Sequence, residues 1–190
     1  MKNDTLTSLP DTADLTNEAI RLLRRIQALV VFFIFAIFIS GATAIPLTWE
    51  MEMLTRFFPK PLETDTGLLS DLARWLHWVK TGLVETDARY PFLAYGYDWL
   101  AFGHFMIALV FVGAYRDPIR NLWLFDFGML ACFFVIPFAL IFGEVRGIPY
   151  GWRLIDCAFG IFGFPLIWLA KRETLKLMRA ITESAATNRR

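Results

Sequence analysis

The chain has 190 residues, of which 56% are hydrophobic and 19% charged, with a formal net charge of +1. Soluble domains run at roughly 45–50% apolar and about 25% charged; the excess here, rich in Phe and Trp, falls in long blocks, which points to membrane spans. A near-neutral balance gives no reason to expect nucleic acid as a partner, and two isolated cysteines inside apolar runs, Cys132 and Cys157, give neither a CxxC pair nor a zinc cluster.

Residues 1–15 are polar, contain a proline and read as a loose tail. Thr16 is a plausible N-cap for a first helix, with Glu18 in its first turn, followed by Arg21, Arg24 and Arg25. The apolar run from Ile26 to Leu47 is long enough to cross a ~30 Å hydrocarbon layer. Its Ala42-Thr43-Ala44 ending resembles a signal-peptide cleavage site, but the long, partly acidic leader argues for a retained span.

A long connection follows, residues 48–97, in which a Pro-Lys-Pro break (Pro59, Lys60, Pro61) stops any helix begun at Trp49. Residues 66–83 place Leu68, Leu69, Leu72, Trp75, Leu76, Val79 and Leu83 on one helical stripe, with Asp71, Arg74 and Lys80 off it. This helix is too charged to span and suits the interface, its apolar face lying over the bundle as a lid. His77 falls off the stripe and reads as solvated. Tyr90, Phe92, Tyr95, Tyr97 and Trp99 then form an interfacial aromatic belt.

The second span is expected over residues 99–115 and the third over 122–142, joined by an Arg-Asp-Pro-x-Arg turn and carrying a kink at Pro137. The fourth is expected over 154–170, and the tail continues as helix before fraying at 176–190. The fold class is therefore all-α: a polytopic integral membrane four-helix bundle, residues 16–175, with an external amphipathic interfacial helix. Twelve Lys and Arg flank the side holding both termini, against seven on the other side over many more residues. The positive-inside rule then puts both termini in the cytoplasm and the long connection outside, in a bacterium the periplasmic face of the inner membrane.

Ionisable residues inside spans are costly and so mark candidate sites. His104 lies roughly 9 Å below the external boundary at ~1.5 Å per residue; Asp156 and Glu144 belong to the same outer half. Ser40 and Thr43 of span one fall at a similar depth, with Asp98, Arg146 and Arg153 at the rim. His104 shares a helical face with Ala101 and Ala108, and Asp156 with Gly160 and Gly163, so both should point into the bundle. These eight residues are the candidate ligand-binding set. Asp126, near the inner end of span three, is expected within reach of Arg116 or Arg120.

Three uses of the outer set compete. One is structural, with Arg146 and Arg153 pairing with Glu144 and Asp156, and His104 bonded to Ser40 or Thr43. The second is a pocket for a lipid, quinone or other small apolar molecule. The third is catalysis on a lipid-like or quinone-like substrate, an isomerisation or oxidoreduction with His104 as general acid or base and Asp156 or Glu144 orienting it. No HExxH, GxSxG or P-loop pattern is present, and no metal-ligand cluster or identifiable cofactor. Four helices, an outer polar cluster and an extramembrane cap resemble, in architecture alone, small membrane families such as the DoxX-like proteins and the sterol-isomerase type; no motif of either is matched residue by residue. The expectation is a non-enzymatic membrane protein that binds a lipid or small apolar ligand or serves as an accessory subunit. Its partners would be membrane lipids and either a homo-oligomer or a larger membrane complex.

Overall fold

The structure, a computed structural model, describes residues 12–187, with side chains from Asn17 to Ala186. Six α-helices follow one another: α1 (Thr12–Ala44), α2 (Leu47–Phe57), α3 (Leu68–Arg89), α4 (Tyr95–Arg116), α5 (Leu122–Val145) and α6 (Tyr150–Thr187), with a 3-10 turn at Pro91–Ala94 ahead of α4. No strand occurs among the described residues. Four helical stretches are long and apolar enough to cross a membrane: Asn17–Ala44, Pro91–Arg116, Leu122–Val145 and Tyr150–Ala186. Their outward faces carry Phe32, Phe35, Leu109, Phe138 and Phe162, all exposed. So many large apolar side chains on every face call for a surrounding that is itself apolar.

Helix boundaries differ from the sequence reading in one consistent way. The helix expected from Thr16 begins already at Thr12, so Thr16 is inside it; the rest of the expected tail, residues 1–11, lies outside the described residues. Ile45 and Pro46 end α1, and Leu47 opens α2 instead of closing the span. The lid helix runs on to Arg89, six residues past the expected end. α6 continues from the span through a long polar extension to Thr187, because TLKLMRAI keeps an apolar stripe that α1 can cover.

The four long helices form a ring in the order α4, α1, α6, α5. α1 packs along α4 on one side and α6 on the other, and α6 packs along α5. The fourth seam, α4 against α5, is by far the loosest. The core cluster follows this layout, with Leu22, Ile26, Val30 and Phe33 of α1, Phe111 and Ala114 of α4, Leu124, Phe125 and Cys132 of α5, and Ile167, Ala170 and Leu177 of α6. Small residues set the close approaches. A Cβ on Gly160 would run into the Cys132 carbonyl oxygen, and one on Gly163 would stand 2.8 Å from Cys132 Sγ, so α6 can lie against α5 only because those positions lack side chains. Cys132 and Cys157 are both buried and free.

The turns explain two of the unusual sequence strings. In RDPIRN, Asp117 Oδ1 accepts the Arg120 N–H at 3.0 Å, and the Asn121 amide donates back to the carbonyls of Gly113 (3.0 Å) and Asp117 (2.9 Å), closing the C-terminus of α4. In RGIPYGWR, Gly147 has φ +66°. Its N–H bonds the Glu144 carbonyl at 3.0 Å, and the Ile148 N–H bonds Gly143 at 2.8 Å, a Schellman ending that needs glycine at the left-handed position. Pro149 then starts α6, its carbonyl accepting from the Arg153 N–H at 3.2 Å.

α2 and α3 fold back as a helical hairpin over the end of the bundle opposite the termini, the cap end. Met51 and Thr55 of α2 and Ala73 and Leu76 of α3 are buried at its centre. The start of α3 rests on α6, where a Cβ on Gly151 would come within 2.8 Å of Leu68 Cδ1, and its end feeds through the 3-10 turn into α4. The lid thus runs across the ring from α6 to α4. The hairpin loop is held from α3: Arg74 donates to the carbonyls of Leu62 (3.4 Å) and Asp65 (3.0 Å) and pairs with Asp71 at 2.7 Å. His77, expected in solvent, is half-buried and its Nε2 donates to the Phe58 carbonyl at 3.0 Å; the open C-terminus of α2 supplies an acceptor that spacing alone does not reveal.

Candidate functional site

The middle of the ring is a solid layer. Phe33 and Phe111 meet edge to face at 4.8 Å between ring centres. A Cβ on Gly128 would lie 3.0 Å from Phe111 Cζ and 3.3 Å from Ile167 Cγ2, and one on Gly163 3.7 Å from Phe33 Cε2. All four helices therefore close at this level. His104 stands seven residues toward the cap on α4, and Asp156 seven residues toward the cap on α6. Gly41 is eight residues beyond Phe33 on α1. At ~1.5 Å per residue each lies roughly 10–12 Å above the layer. Gly41 confirms the level directly, since a Cβ there would come 2.6 Å from His104 Cβ.

Faces as well as depths agree. Ala101 and Ala108, on the His104 face, are buried. Gly160 and Gly163, on the Asp156 face, both lie against Cys132 of α5, and Gly163 also approaches Phe33 of α1, so this face of α6 packs inside the ring. His104 and Asp156 are both half-buried, on the diagonally placed helices α4 and α6, whose Cα atoms nowhere approach within 8 Å among the described residues. Between α4 and α5 the ring opens on this side. Ala114 is fully buried near the turn, whereas Gly103, on the same face of α4 about three turns nearer the cap, has open space where a Cβ would stand. The cap half, above Phe111, is therefore the loosely filled part of the ring on the α4–α5 side.

Within it the polar groups do not form the expected network. His104 Nδ1 donates to its own helix, to the Leu100 carbonyl at 2.8 Å, and not to Ser40 or Thr43. The acceptor fixes the neutral tautomer: Nδ1 carries the proton and Nε2 the lone pair. Thr43 Oγ1 likewise turns to its own helix, donating to the Ser40 carbonyl at 3.1 Å. Among the described residues neither His104 Nε2 nor the Asp156 carboxylate has a hydrogen-bond partner.

The remaining candidates are placed apart. Arg153 pairs with Glu144, as one reading expected, but also donates from Nε to the Ile148 carbonyl at 2.6 Å. Its side chain is 14% exposed and lies over Gly143, whose missing Cβ makes the room. This arginine ties the end of α5 to the start of α6. Arg146 and Asp98 are exposed, and Arg146 pairs with neither Glu144 nor Asp156. Asp126 also departs from expectation, being paired with Lys171 of α6 instead of Arg116 or Arg120; the α5–α6 packing brings together residues 45 apart in sequence. Among the described residues no three His, Cys, Asp or Glu side chains gather as a metal site.

One polar residue that sequence reasoning passed over is Glu173. It is 6% exposed, bonded through Oε1 to Lys176 at 2.6 Å, with Oε2 buried and unpartnered. Neighbouring Thr174 is fully buried and satisfied by the Ala170 carbonyl at 2.9 Å. Comparison with known proteins finds no matching family model, no similar curated protein and no similar solved structure.

Proposed function

We propose that the chain binds a lipid or another small apolar ligand in the cleft beside α4, with His104 and Asp156 as its polar anchors. The observation that supports this reading is that these two residues, both half-buried in the cap half of their spans, each keep a polar group without a protein partner among the described residues. Ionisable side chains within membrane spans are costly unless they meet polar partners, and a ligand held by a few polar groups among apolar walls supplies such partners. Loose packing of α4 against α5 supplies a sideways entrance from the membrane. The charge asymmetry of the sequence supports cytoplasmic termini and a periplasmic cap in a bacterial inner membrane.

The test is native mass spectrometry of the protein taken from its source membrane, with lipid extraction beside it. Binding gives one enriched species that His104→Ala and Asp156→Asn both lose. An extract matching bulk lipid, together with a stable partner subunit, would replace this reading with that of an accessory subunit. A second use of the cleft is supported by the Nδ1 hydrogen bond of His104: in the neutral ring it leaves the lone pair on Nε2, free to act as a general base on a bound lipid-like substrate. Chemical turnover of the enriched species, abolished by His104→Gln with binding retained, distinguishes an intramembrane enzyme from a binding protein.

A further inference from the structure

A second feature lies on the outside of the α5–α6 seam, facing away from the cleft. It is a shallow groove of about 560 Å³, walled by Trp123, Phe127, Leu130 and Phe133 of α5 and Phe164 of α6. Its end near the α4–α5 turn is polar. Asp126 lines it and is ion-paired with Lys171, and the acid keeps more than half of its side chain exposed. One helical turn beyond Phe164, Trp168 carries the Arg172 guanidinium over its ring at 5.6 Å from the centre. Trp123 and Asp126 line this end, Asp126 about 6 Å from the start of α5 at the helical rise per residue; Lys171 adjoins it through its pair with Asp126, and Trp168 and Arg172 continue the Phe164 face of α6 beyond it at helical spacing.

Tryptophans at that depth belong to the headgroup level of a bilayer, and the apolar walls continue into the hydrocarbon. A molecule complementary to this arrangement has an apolar chain, a phosphate and a hydrogen-bonding ammonium group. We propose that the groove holds one phospholipid with a primary-amine headgroup. Its phosphate lies on Lys171 and Arg172, its ammonium donates to Asp126, and one acyl chain runs along Leu130, Phe133 and Phe164. The acid sets the selectivity. A quaternary ammonium has no N–H to give Asp126, and a headgroup with only negative charge meets a carboxylate at the mouth.

The experiment uses the full chain, stripped of lipid by exhaustive detergent exchange. Phosphatidylethanolamine, phosphatidylcholine and phosphatidylglycerol of identical chains are added back separately, and native mass spectrometry reads the adducts. All samples carry His104→Ala, which empties the cleft, so that one site is read; the expected result is a 1:1 adduct retained about tenfold better for phosphatidylethanolamine, the worth of one hydrogen bond to a charged group. Leu130→Trp, which fills the groove from an exposed position, removes the adduct for all three lipids, and Asp126→Asn removes the preference while leaving weak binding. Equal retention of the three headgroups by the protein with its groove unchanged overturns the proposal. So does an adduct that survives Leu130→Trp, or a Leu130→Trp protein that changes its oligomeric state instead of its lipid content, which would assign the groove to a protein partner. Unchanged thermal unfolding of both variants confirms that the fold is intact.

Discussion

Gly41 of α1 and His104 of α4 are packed so closely that a methyl group on the glycine would stand 2.6 Å from the histidine Cβ and 3.1 Å from the Ala101 carbonyl oxygen. Both obstacles belong to or hang directly from the α4 backbone, so neither can swing away. Gly41→Ala should therefore push α4 off α1 and cost about 1–3 kcal/mol, as overpacking does. Gly103→Ala, where the added methyl meets nothing, should be neutral or gain about 0.5–1 kcal/mol from helix propensity. Thermal unfolding of the two variants in one detergent makes the comparison. Equal destabilisation would mean that α4 is as tightly enclosed on its α5 side as on its α1 side.

The two members of the Arg153–Glu144 pair should not be equivalent. Glu144 is 75% exposed, so Glu144→Ala should cost no more than about 1 kcal/mol. Arg153 also satisfies the Ile148 carbonyl and packs over Gly143; Arg153→Ala should cost roughly 1–3 kcal/mol through the acceptor left behind. Denaturation of the single and double variants would give the coupling. If both single changes cost the same, the arginine acts through the ion pair alone.

Glu173 offers a stabilising substitution. Its Oε2 is buried without a partner, while Lys176, the residue paired with Oε1, is itself well exposed and can be solvated. Glu173→Met should raise stability by roughly 1–3 kcal/mol, since the cost of an unpaired buried polar group disappears and an apolar side chain replaces it. A loss of stability would show that the carboxylate is held by something bound between α1 and α6.

In the cap, burial raises the pKa of Glu50 above its usual value. The folded protein then holds this proton more firmly than the unfolded chain does. Its contribution to stability is present below the unfolded pKa and is lost as pH rises through the folded one. Glu50→Gln should accordingly stabilise the cap at neutral pH and flatten the decline of stability just above the ordinary carboxylate range. The readout is Tm against pH for both proteins.

Much of the architecture was legible because it rests on local pattern: four apolar runs, a lid with helical spacing, and glycines and alanines marking the faces of α4 and α6 that pack. The packing of Ala101, Ala108, Gly160 and Gly163 followed from their size. The choice of partners did not. Lys171 reaches Asp126 because α6 lies along α5, and no spacing rule encodes that. His104 and Thr43 were expected to bond each other's helices, but an acceptor one turn back on the same helix is always within reach. The last helix was expected to run past Lys171 and to fray from residue 176; α6 instead continues to Thr187, with Leu22 of α1 and Leu177 in one buried cluster.

The ring order has a consequence for how the protein is made. α1 emerges first, yet one of its two buried stripes, the one with Leu22 and Ile26, is covered by Ala170 and Leu177 of the last helix. Its other side meets α4 midway through synthesis. From insertion of the first span until the final residues arrive, α1 is half dressed, and its apolar stripe beyond the membrane faces water or a chaperone. Early termination ahead of Ala170 would thus harm the beginning of the chain more than its end, leaving the N-terminal helix as the segment first open to proteolysis.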